Sequence, residues 1–193
     1  MLLPSGYNAQ GKPFAITEYL RYHNILSYEK QVETLCSKGF ALWDIISSCE
    51  RKGSLDKDIK KEIPNDIQGF CEQHPHLKRI VLANGGSGST LFARHFADWW
   101  ATGDLTHGGN AESVTAFQKL ERKVKQHSNN PVVCICALSV SPAAARYDYV
   151  TKRDFWEQNV YQPGIELHEQ LERETKVGAP GEKSAVNKDI TLS

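Results

Sequence analysis

Two stretches hold residue types that could do chemistry: Asn84-Gly85-Gly86-Ser87-Gly88-Ser89 and Ser139-Val140-Ser141-Pro142. Each follows an apolar run, Leu77 to Ala83 in one case and Pro131 to Leu138, PVVCICAL, in the other. Short apolar runs bounded by turn signals read as buried strands. Both stretches then sit at strand carboxyl ends, where open α/β sheets place their ligands. An amide such as Asn84 donates and accepts hydrogen bonds at once, so it can touch a ligand there or serve an ordinary Asn-Gly turn. Ser139 and Ser141 can hold an anion or cap the helix that follows. The glycines alone decide little. A phosphate loop needs Lys directly after the last Gly, where this chain has Ser89, and G-x-G-x-x-G is not spelled. A phosphate- or nucleotide-binding α/β protein using Gly85 to Ser89 therefore stays as the outside reading.

The elements that must position these residues follow from periodicity. Residues 1–16 are rich in Gly, Pro and Asn and read as irregular. Helices are expected over Thr17 to Leu26 and Tyr28 to Ser37, with Gly39 as a left-handed cap. Phe40 to Ile46, FALWDII, reads as a strand with Asp44 near its end, a functional carboxylate or an acceptor for loop amides. The charged run from Ser47 to Asp66 reads as a solvated loop or short helix. Ile67 to His74 and Thr90 to Trp100 read as helices, with Trp100 partly exposed. Residues 101–113 read as a flexible connection, Val114 to His127 as a basic amphipathic helix, and Ala143 to Tyr161 and Pro163 to Thr175 as two more helices. Lys119, Arg122, Lys123 and Lys125 form a solvated face. The remainder, residues 176–193, lacks apolar period and is expected to be disordered.

At 193 residues with 23 acidic and 23 basic side chains, the chain suits one domain with a tail and has no net pull toward a polyanion. Any contact with nucleic acid must rest on a local patch. No apolar run approaches the length of a membrane span, and no signal-peptide pattern opens the chain, so a soluble protein of the cytoplasm or nucleus is expected. Cys36, Cys49, Cys71, Cys134 and Cys136 form no C-x-x-C pair and read as core thiols. No histidine pair has metal spacing; His74 and His76 flank a proline and read as exposed. Neither a metal nor another cofactor is expected.

Taken together, SYEKQVETLCSKGFALWDIISSCERKGSLDKDIKKEIPNDI, RIVLANGGSGSTLF and ALSVSPAAARY resemble the hypoxanthine-DNA (deoxyinosine) glycosylases of the uracil-DNA glycosylase superfamily. The resemblance covers roughly residues 7 to 160. It implies a three-layer α/β/α sandwich with a mostly parallel central sheet, residues 17–175 forming the domain. The family's first strand and its glycine-serine-proline loop have no counterpart, so the sheet is expected to lack that strand. A start assigned too late, a degenerate relative, or a strand donated by something else would each account for this.

The resemblance also implies roles. Asn84 falls on the family's strand-end Asn that contacts the extruded base, with Gly85 beside it. Asn8 falls on an Asn implicated in catalysis, although its neighbours differ. Ser139, Ser141 and Pro142 match the Ser-Thr-Ser-Pro-Ala loop that grips the DNA strand, with Val140 in place of Thr. Cleaving an N-glycosidic bond puts positive charge on the sugar and negative charge on the base, so no nucleophilic side chain or metal is compulsory. An amide can read the base edge and steady the departing purine. The implied activity is removal of hypoxanthine, with uracil as a further substrate, from DNA. The alternative is a degenerate member acting as a binding module.

Overall fold

The computed structural model describes residues 6–7, 13–14, 16–20, 26–53, 58–108, 115–140, 144 and 146–178. Gly6–Tyr7 (β1) and Pro13–Phe14 (β2) pair antiparallel, so the opening segment holds a small hairpin where irregular chain was expected. Ile16–Tyr19 (α1) and Tyr28–Ser37 (α2) follow. Ser27 caps α2 by accepting from the Lys30 amide, and Gly39, at φ +80°, ends it as expected.

Residues 40–45 form no strand, against expectation. Extended backbone needs a partner for its N–H and C=O groups, and a cavity separates this segment from the nearest strand. The strand starts later: Ile46–Arg51 (β3) pairs antiparallel with Ile59–Pro64 (β4). This hairpin occupies the run expected to be a loop or helix. Its side chains are exposed from Ser47 to Arg51, so it lacks the alternation that marks a half-buried strand. Ile67–Gln73 (α3) is capped by Asp66, whose carboxylate accepts from the Gly69 amide at 2.9 Å.

Arg79–Leu82 (β5), Leu105–His107 (β6) and Val132–Cys136 (β7) form a parallel sheet in the order β5-β7-β6. The expected flexible connection therefore contains a strand. It is only three residues long, too short for periodicity to reveal, and Leu105 is fully buried. The outer edge of β6 is covered by a side chain: the His107 amide donates to Glu121 at 2.6 Å, and the other Glu121 oxygen meets His127 Nε2 at 3.0 Å.

Gly85–His95 (α4), Ala97–Ala101 (α5) and Thr115–Glu121 (α6) pack Phe92, Phe96, Trp99, Trp100 and Phe117 on one face of the sheet, with Cys71, Cys134 and Cys136. Trp100, expected partly exposed, is fully buried against Phe117. Cys36 and Cys49, expected in the core, are exposed. Tyr149–Trp156 (α7), a π-helical turn over Glu157–Tyr161, and Gln162–Gly178 (α8) run on without a break. They cover the other face, where Ile16, Leu35, Ala137, Trp156, Val160 and Tyr161 cluster. Helices on both faces of a parallel sheet make an α/β sandwich. The last helix runs through Gly178, past the expected boundary at Thr175, and residues 179–193 lie outside the described residues. Among the described residues no helix is long and apolar enough to cross a membrane.

Candidate active site

Pairing Leu82 with Cys136 brings β5 and β7 to an end at one level. The segments that follow therefore lie side by side: the Ala137 amide donates to the Leu82 carbonyl at 3.2 Å. Gly85 holds φ +60°, and a β-carbon added there would lie 3.4 Å from Ser139 Cβ and 3.5 Å from its amide nitrogen. The two strand-end stretches singled out in the sequence thus meet at Gly85 and Ser139. Ser141, Pro142 and Asn8 lie outside the described residues.

The glycine stretch is the first turn of α4, which starts five residues earlier than expected. Ser89 and Thr90 hydroxyls donate back to the Gly85 and Gly86 carbonyls at 3.0 and 2.8 Å, tightening that turn. Asn84 occupies the N-cap position, yet its side chain makes no capping hydrogen bond. It is exposed and lines a cavity of about 1930 Å³. The amide groups of the first turn have no intrahelical partner and carry the positive end of the helix dipole. An unengaged carboxamide beside such a helix start can hold a polar, electron-rich ring edge and stabilise negative charge on it.

The cavity wall is more positive than the chain. Arg51, Lys78, Arg79, Arg94 and Arg146 line it against Asp44 and Glu62, in a protein whose formal net charge is zero. Arg94 is paired with Glu62. The Glu62 carboxyl is held below its usual range by its own backbone amide first and by Arg94 among smaller causes.

Sequence reasoning missed two contributors. Trp156 is buried and its indole N–H donates to the Leu138 carbonyl at 2.8 Å, which pins the segment leading to Ser139. Nothing local marks it, since the partner is eighteen residues away. Trp43 stays half exposed, edge-on to Phe70 at 5.2 Å between ring centres, and presents an aromatic surface to the cavity.

A stretch of 60 residues, 31% of this chain, is 38% identical to the hypoxanthine DNA glycosylase of Methanosarcina acetivorans. The match spans 37% of that protein's length. No protein-family model matches the chain, and no solved structure matches it.

Proposed function

We propose that this protein is a DNA glycosylase that removes a deaminated purine, hypoxanthine, from DNA, with uracil as a second substrate. One observation carries the reading: an Asn84 side chain with no capping duty, at a strand carboxyl end, faces a net cationic cavity beside Ser139 of the neighbouring strand end. The similarity to the Methanosarcina glycosylase supports it.

The base must first leave the stack, at a cost of a few kcal/mol, roughly, that contacts in the pocket return. Trp43 offers a stacking surface and Asn84 reads the base edge. Water then adds to the anomeric carbon while the bond from that carbon to the base nitrogen breaks. The electron pair leaves with the base, which takes up the proton that water loses. Asn84 and the amides of the first α4 turn stabilise the charge on the departing ring. Asn8 is assigned to orienting the water, and Ser139, Ser141 and Pro142 to gripping the phosphodiester without reading sequence.

The test is an inosine-containing oligonucleotide incubated with purified protein and then treated with alkali. Strand breaks that vanish in Asn84→Ala support the enzyme. Binding without breaks above that control leaves a binding module instead.

A further inference from the structure

The sheet stops one strand short of its covering layers. On one face the apolar cluster around Phe92 and Cys134 extends past β5 to Ile45, Ile67 and Leu77. On the other, the cluster around Trp156 and Tyr161 extends past it to Phe40. Between these layers the cavity runs along β5 and is closed on its far side by residues 40–45. At about 1930 Å³ it is about twice the upper end of ordinary small-ligand pockets.

Among the described residues β5 is paired on one side alone. The Lys78 and Leu82 carbonyls accept from Val133 and Ala137 on the β7 side. Backbone groups of successive strand residues point to opposite edges, so the N–H and C=O of Arg79 and Val81 face the cavity. No described hydrogen bond uses them. A parallel strand covered on both faces but open along one edge is a template for another strand. The slot also carries a charge to be matched. The half-buried Arg79 guanidinium makes one described hydrogen bond, to the Asn159 carbonyl at 2.8 Å, and no described ion pair. Burial pushes its pKa down from the usual arginine range.

We infer that this slot is a docking site for an extended polypeptide segment of a partner protein. The segment adds as a strand to β5, is apolar on both faces, and places a carboxylate against Arg79. Main-chain bonds to Arg79 and Val81 supply the attachment, the two apolar walls select side chains, and Arg79 selects charge. Nucleic acid lacks the alternating amide ladder that this edge asks for. The inference stands on the sheet edge and does not depend on glycosylase activity.

The probe is a fluorescent peptide of about ten residues, Val- and Ile-rich with one central Asp and serine ends, long enough for an ordinary strand. Saturable anisotropy is expected, with exchange of the Arg79 and Val81 amides slowed about tenfold or more while those of Ile80 and Leu82, already facing β7, change less. Methylating alternate peptide nitrogens should abolish binding. Arg79→Glu should weaken it about tenfold, and replacing the peptide's Asp by Lys should restore it in that variant. Absence of saturable binding, equal binding of the methylated peptide, or failure of the charge swap overturns the inference. So does oligothymidine displacing the peptide and protecting the same two amides, which would assign the slot to nucleic acid. The oligonucleotide cleavage assay on the same preparation reports separately on the enzyme, so either reading can fail alone.

Discussion

Asn84 is exposed and caps nothing, so its side chain is dispensable to the fold and Asn84→Ala should leave the melting temperature nearly unchanged. If the carboxamide steadies the departing base, its loss should slow cleavage about 10²- to 10³-fold, the usual effect of removing one such donor. Single-turnover kinetics beside a thermal melt checks both halves. Gly85 behaves oppositely. At φ +60° an L side chain costs about 1–2 kcal/mol, so Gly85→Ala should destabilise by that amount in a denaturant titration and disturb the contact with Ser139. His107 governs a pH response. Burial pushes its pKa down, with Glu121 working weakly the other way, and its Nε2 is buried without a partner. Because the folded state resists the proton and the unfolded chain accepts it, the stability contribution is complete above about pH 6.5. It is lost as pH falls from there through the lowered folded value. Melting temperature should drop over that window in the wild type, and less in His107→Leu.

Among elements, the segment from Ala137 to Ser139 depends on α7. Trp156→Phe keeps the ring but loses the donor to Leu138, a deletion worth about 1–3 kcal/mol for a buried group left unpaired. A guanidinium titration should show that loss together with slower cleavage, because the loop carrying Ser139 is no longer pinned. How far these elements were legible in the sequence depended on how each one meets solvent. β7 was readable because it is apolar on both faces, and α2 because its cap and Gly39 are local signals. The β3-β4 hairpin was not, since its exposed side chains carry no period. Phe40 to Ile46 misled because its apolar residues line a cavity wall instead of a pleat; Leu42 and Trp43 are almost half exposed. The first turn of α4 was hidden by glycines, each costing about 1 kcal/mol of helix propensity that packing against Ser139 overrides. Asn84 at a strand end was readable from one stretch, whereas Trp43 and Trp156 reach the site only through tertiary contacts.

At the scale of the whole molecule, a neutral chain concentrates positive charge in one cleft, so association with DNA should be sensitive to salt although the protein has no net charge. The logarithm of the binding constant should fall linearly with the logarithm of salt concentration, losing about 0.7–0.9 of slope per phosphate contacted. Arg146→Gln should reduce that slope by about one contact without changing base preference. A slope unaffected by the substitution would place the nucleic acid elsewhere on the surface.

The π-helical turn between α7 and α8 has a consequence for how the chain tolerates change in length. There the Gln162 amide reaches back five residues to the Glu157 carbonyl, and Pro163 has no N–H to offer Asn159, whose carbonyl takes Arg79 instead. Excising a single residue from Glu157–Tyr161 would restore an ordinary helical winding, and every side chain beyond would swing by roughly 100° about the axis. Leu167 and Leu171 would rotate off the cavity wall and Arg79 would lose its acceptor, so one codon removed here should do more damage than several removed from the β3-β4 turn.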